Sequence, residues 1–97
     1  MTTRVLFVQG AGEGTFEGSR PLVENLGQSL GDRFDVEYPA LPNEGEPDPR
    51  EWSRIIEEQS RDAIVVAHSV GGSIALKHFS DAGGESLLGL FTIAAPF

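Results

Sequence analysis

Val65-Val66-Ala67-His68-Ser69-Val70-Gly71-Gly72 joins two structural patterns in one short stretch. An apolar, β-branched run that begins at Ala63 stops at a small residue, passes through His-Ser and enters a Gly-Gly turn. A helical pattern from Val70 to Ala82 follows at once, and Gly83-Gly84 stops it. Such a junction is how a strand delivers a serine to a sharp strand-to-helix turn with its hydroxyl exposed. The stretch predicts a strand over Ala63 to Ala67, a helix after it, and a serine at the turn.

The flanking sequence repeats the alternation. Val5-Leu6-Phe7-Val8 is a continuous apolar run, as expected of a strand buried on both faces of a parallel sheet. Gln9-Gly10-Ala11-Gly12-Glu13-Gly14 is then a glycine-rich loop. A helix is predicted from about Ser19 to Pro21, because proline suits a first turn. Leu22, Val23, Leu26 and Leu30 share its apolar face and Gly31 ends it. Phe34, Val36 and Tyr38 alternate with Asp35 and Glu37, giving a second strand with one polar side. Pro39 to Pro49 is a proline-rich acidic loop. Asp48-Pro49-Arg50-Glu51 resembles a capping box that opens a further helix, with Trp52, Ile55 and Ile56 on its apolar face. Leu87 to Ala95 is the last strand.

The order β-α-β-α-β-α-β predicts an α/β fold: a three-layer αβα sandwich around a parallel sheet of about four strands. The expected spatial order is 2-1-3-4. Ligands in such sheets bind at the carboxyl ends of strands beside the switch point. The loops Gly10 to Gly14 and His68 to Gly72 both fall there.

Bulk properties narrow the function. The 97 residues read as a single domain, 1–97, with a formal net charge of −8 and seven scattered basic residues. No basic patch or stripe is present, which excludes a nucleic-acid partner and disfavours an anionic membrane surface. There is no cysteine, so disulfides, thiolate catalysis and Cys-ligated zinc are excluded. The two histidines lack clustered carboxylates and form no metal-ligand set. Thr2-Thr3-Arg4 leads directly into a short strand with no extended apolar segment, so the reading is a soluble, cytoplasmic protein.

Ala67-His68-Ser69-Val70-Gly71 resembles the G-x-S-x-G nucleophile elbow of the α/β-hydrolases, with alanine replacing the first glycine. Small residues are wanted on both flanks because strand and helix pass close together there. Val5 to Gly12 is similar to the family's earlier strand and His-Gly-x-Gly oxyanion loop, with Gln9 in place of histidine. Phe91-Thr92-Ile93-Ala94-Ala95-Pro96 looks like the strand after the elbow helix. The likeness covers nearly the whole chain but only the amino-terminal half of the family fold, which implies an incomplete hydrolase domain.

The resemblance implies acyl transfer. Ser69 would attack the carbonyl of a small-molecule ester, thioester or amide and form an acyl-enzyme that water releases. Backbone N–H groups of Ala11 and Val70 would hold the oxyanion. Gly10, Gly12, Ala67, His68 and Gly71 would support the elbow and its loop. No cofactor or metal is implied. In this family the acid and then the histidine follow the serine. Here only His78, Asp81 and Glu85 follow Ser69. His78 lies nine residues on, over two turns away. His68 adjoins the elbow and is expected to be packed or hydrogen-bonded beneath the loop. No triad can be assembled from these residues.

Two other classes stay open. Gly10-x-Gly12-x-Gly14 with Glu37 at the end of the second strand imitates part of a dinucleotide fingerprint. Its spacing is not G-x-G-x-x-G, however, and a helix starting near Pro21 is too late to hold a pyrophosphate. A non-catalytic assembly protein that keeps the hydrolase elbow without its chemistry is the third class, with Leu87 to Ala95 as an apolar edge through which the chain self-associates. Among the blander readings, Ser69 is a simple turn residue, Trp52 is core, and the acids from Glu44 to Asp48 belong to a solvated loop. The glycine-rich loop and the Pro39 to Pro49 segment are expected to line part of a pocket.

Overall fold

The structure, a computed structural model, describes residues 2–84 and 86–93. Four strands, β1 (Thr3–Val8), β2 (Phe34–Glu37), β3 (Ala63–His68) and β4 (Gly89–Ile93), form one sheet. All neighbours are parallel and the order is β2-β1-β3-β4, as the alternation predicts. The register places Val5 between Val36 and Ile64, Val8 beside Ala67, and His68 beside Ile93. The carboxyl ends of β1 and β3 therefore meet at the centre of one rim.

Helix α3 (Pro49–Gln59) and helix α4 (Val70–Ala82) pack on one sheet face. Leu6, Val8, Val65, Ala67, Trp52, Ile56 and Ala75 form the core there, joined by Leu41. Gly71, Gly72 and Ala75 are the buried residues of α4, and their small size lets the helix lie close to the sheet. Asp48 caps α3: its carboxylate accepts the Arg50 N–H at 3.0 Å, with Pro49 in the first turn. Among the described residues, Glu51 does not close the reciprocal half of the box. Trp52 is fully buried, and its indole N–H donates to the Pro42 carbonyl at 2.7 Å. This bond pins the proline-rich loop onto the core.

Helix α2 (Arg20–Leu30) covers the opposite face, over β1 and β2. It docks through Val23, Leu26 and Leu30, which keep a 3-4 spacing. Leu22, expected on that stripe, is 42% exposed. It sits about 100° around the helix from Val23, on the flank that faces water. β1 is buried on both faces, as its apolar run predicts. β3 is not: Ala63, Val65 and Ala67 are buried, whereas Ile64, Val66 and His68 are half-covered. The reason is that α2 stops short of β3 and β4 on its side.

Element boundaries differ from the sequence reading: β1 begins at Thr3 rather than Val5, and β3 runs on to His68. A short helix, α1 (Thr15–Gly18), interrupts the stretch before α2. Tyr38 lies beyond the end of β2 and instead donates its hydroxyl to the Phe16 carbonyl at 2.7 Å while stacking on the Phe16 ring. β4 begins two residues later than Leu87, and the expected Ala94-Ala95 end lies outside the described residues.

Candidate active site

Ser69 stands between the last residue of β3 and the first of α4, with φ 55° and ψ −128°. A side chain at positive φ with this ψ is strained by about 1–3 kcal/mol and persists only where its surroundings impose it. Here the surroundings are backbone. The Ser69 N–H donates to the Ile93 carbonyl at 2.9 Å, and the Ser69 carbonyl accepts the N–H groups of Gly72 and Ser73. Strand, serine and helix are thereby locked into one sharp turn.

The β1 loop presses against that turn. A Cβ on Gly71 would overlap the Gln9 carbonyl oxygen and come within 3.0 Å of Val8 Cγ1. A Cβ on Gly10 would lie 3.2 Å from the Ser69 Cβ and 3.4 Å from His68 Nδ1. Gly71 is thus required by close approach, Gly10 stands where a Cβ would make its neighbours give by a few tenths of an ångström, and Ala67, fully buried, completes the tight junction. The structure brings Gly10, Ala67, His68, Ser69 and Gly71 into mutual proximity.

Two N–H groups of the loop and turn, those of Val70 and Ala11, have no acceptor among the described residues. Val70 opens α4, so its N–H has no intrahelical partner. The Ala11 N–H has no hydrogen-bond partner among the described residues, whereas the next one, Gly12, donates to the Glu44 carbonyl. The Ser69 hydroxyl itself bonds to no described side chain.

Glu44 is the residue that the sequence reading misplaced. It is not a solvated loop acid. Its carboxylate accepts the Phe16 N–H at 2.9 Å, the Gly14 N–H at 2.9 Å, the Thr15 hydroxyl at 3.1 Å and the Gln9 amide at 3.0 Å. These donors, first the Phe16 N–H and then the Gly14 N–H, hold its carboxyl below the usual glutamate range. Gln9 is fully buried beneath the loop, and its Oε1 accepts the Leu41 N–H at 2.7 Å. Glu44 and Gln9 together fix the β1 loop against the proline-rich segment. Pro42, Glu44, Glu46 and Asp48 look alike in sequence as loop residues, and no local signal separates Glu44 from its neighbours. A shallow cleft lined by Phe16, Leu41 and Asn43 lies between the two loops.

Among the described residues neither histidine is hydrogen-bonded to the Ser69 hydroxyl. The His68 ring packs against Gly10, and its buried Nδ1 has no hydrogen-bond partner among the described residues. His78 meets Glu57 of α3 at 2.8 Å, roughly 13 Å along α4 from the elbow. Among the described residues no group of three or more His, Cys, Asp or Glu could hold a metal ion. Glu37, the acid that imitates a ribose ligand, is taken by Arg4 at 2.8 Å, and Arg4 lowers its pKa. Helix α2 starts at Arg20, well past the glycine loop. Among the described residues no helix is long and apolar enough to cross a membrane.

Comparison of the chain with family models, curated proteins and solved structures found no match.

Proposed function

We propose that this chain is the nucleophile and oxyanion-binding half of an α/β-hydrolase-type serine hydrolase, acting on a carboxylic ester or related acyl compound. One observation carries the reading: Ser69 is held at φ 55° with the Gly10 backbone packed against its Cβ. A turn serine without such a role has no need of the strain. The Ser69 oxygen attacks the acyl carbonyl, and a C–O bond forms while the carbonyl electron pair moves to oxygen. The Val70 and Ala11 N–H groups receive that oxyanion, each donor being worth about 10²–10³ in rate. The oxyanion then re-forms the carbonyl as the acyl C–O bond to the alcohol breaks, the leaving oxygen takes the Ser69 proton, and water later cleaves the acyl-enzyme to the acid and free Ser69. No described side chain is hydrogen-bonded to the Ser69 hydroxyl, and the reading assigns no base. The reading assigns the protein to the cytoplasm, in keeping with a cysteine-free sequence.

The half-site can be tested without a base. A thiol ionises unaided and is intrinsically nucleophilic. Ser69→Cys should therefore be acylated by p-nitrophenyl acetate at least about tenfold faster than Ser80→Cys, whose thiol lies on the exposed side of α4, after correction for thiolate fraction. Intact mass would show a single acetyl group. Equal rates at the two positions would mean that nothing beside residue 69 stabilises the oxyanion.

A further inference from the structure

The Ala11 N–H, one of the two proposed oxyanion donors, belongs to the peptide unit that joins Gly10 to Ala11. In a trans peptide the carbonyl and the N–H lie in one plane and point in opposite directions. The Gly10 carbonyl accepts from the Gln9 side-chain amide at 3.3 Å and from the Thr15 hydroxyl at 3.0 Å. The Ala11 N–H is turned away from both, and it has no acceptor among the described residues. Whatever holds the Gly10 carbonyl therefore aims the Ala11 N–H.

The hold on that carbonyl traces back to Glu44. A side-chain amide carries two N–H donors and one acceptor oxygen. Gln9 engages all three: its oxygen accepts the Leu41 N–H at 2.7 Å, one N–H goes to the Glu44 carboxylate at 3.0 Å, and the other goes to Gly10. A donor at one end and a carboxylate at the other fix which way round the amide sits, and the side chain is fully buried. Thr15 is the lesser hold, because its hydroxyl has one proton for three acceptors, the Gly10 and Gly12 carbonyls and Glu44. Glu44 also reaches the far side of the unit, where its backbone carbonyl accepts the Gly12 N–H. One residue of the proline-rich loop thus bounds the donor peptide before and after Ala11.

We propose that Glu44 is a positioning residue: through the Gln9 amide it sets the plane of the Gly10–Ala11 peptide and so the direction of the Ala11 N–H. This role rests on Ala11 being an oxyanion donor of the proposed hydrolase. The side chain works through Gln9 and the loop backbone. What the position needs is an acceptor oxygen at the reach of a glutamate. Oε1 takes the Gln9 amide, the Thr15 hydroxyl and the Phe16 N–H, whereas Oε2 takes the Gly14 N–H. Glu44→Gln therefore keeps the link to Gln9 and gives up only the Gly14 bond, and it separates positioning from stability.

Ser69→Cys supplies the reporter, since its acylation by p-nitrophenyl acetate reads the oxyanion site without a base. In that background Glu44→Ala should slow acylation at least about fivefold, part of the about 10²–10³ that one donor supplies. Glu44→Asp, which keeps the charge but stops one methylene short, should slow it as well and covers the case in which the alanine variant does not fold. Glu44→Gln should lose stability yet acylate within about twofold of Ser69→Cys, because the donor stays aimed. Val23→Ala, under α2 on the opposite sheet face, should lower the melting temperature without slowing acylation. All rates are taken where far-UV circular dichroism shows each variant folded. A purely structural Glu44 would give rates that follow stability across the set. Glu44→Ala or Glu44→Asp acylating as fast as Ser69→Cys, or Glu44→Gln slowed as far as Glu44→Ala, would overturn the assignment while leaving the hydrolase reading in place. Ser69→Cys no faster than Ser80→Cys would instead remove the oxyanion site, and the role of Glu44 with it.

Discussion

Replacing Ser69 by glycine should make the protein more stable while removing its proposed nucleophile. The wild-type serine holds φ 55° and ψ −128°, a conformation that disfavours any Cβ by about 1–3 kcal/mol. Glycine adopts it freely, but its looser unfolded chain costs about 0.5–1 kcal/mol relative to alanine. Ser69→Ala keeps both the Cβ and the strain, so it serves as the reference. The difference of these effects leaves Ser69→Gly about 0.5–2 kcal/mol more stable than Ser69→Ala. For a chain of this length one kcal/mol moves the melting temperature by about 5 °C. The glycine variant should thus melt roughly 2–10 °C above the alanine variant. Thermal and urea unfolding followed by far-UV circular dichroism measure the difference. A glycine variant that melts at or below the alanine variant would show that residue 69 bears no strain, and the elbow argument would fall with it.

Gly71→Ala drives a methyl group into the Gln9 carbonyl, an overpacking that should cost about 1–3 kcal/mol. Gly18→Ala, with open space around it, should change the melting temperature by no more than a few degrees. Glu44→Gln should destabilise the fold at neutral pH, because the native carboxyl is held below its ordinary value of about 4.3. That contribution is complete above the ordinary value and is lost as pH falls through the lower, folded-state value. The gap in melting temperature between wild type and Glu44→Gln should therefore narrow as pH drops below about 4; a gap that widens toward acid refutes the assignment. Trp52→Phe leaves the Pro42 carbonyl without its donor and should cost about 1–3 kcal/mol in urea unfolding followed by circular dichroism.

The fold was legible where burial and chain order act together. Val5 to Val8 and Ala63 to Ala67 could only be interior strands, and the helices between them left a parallel sheet as the economical solution. The elbow was legible because its steric needs are written in residue size: Ala67, Gly71 and Gly10 are small where backbones meet. What could not be read was anything set by long-range polar contacts. Glu44 acquires its role from four donors brought to it by the β1 loop and α1, all of them 28 or more residues away from it in sequence. Helix α1 was missed for the same reason, since the cap at its start is supplied by Glu44 from a separate loop. The open face over β3 and β4 was also hidden, because Ile64, Val66 and Phe91 look like core residues whichever way a helix covers them. His68 lies against Gly10, and its Nδ1 has no partner among the described residues, a contact that no local sequence signal specifies.

The most direct test of the account is the site of reaction with a fluorophosphonate, read by intact mass and peptide mapping. An oxyanion site without its base retains part of its rate advantage, since such sites keep about 10³-fold over water when the triad is removed. The account predicts a slow, single adduct on Ser69, absent from Ser69→Ala, with the other serines unlabelled. Labelling spread over several serines, or the same adduct yield in Ser69→Ala, would contradict it.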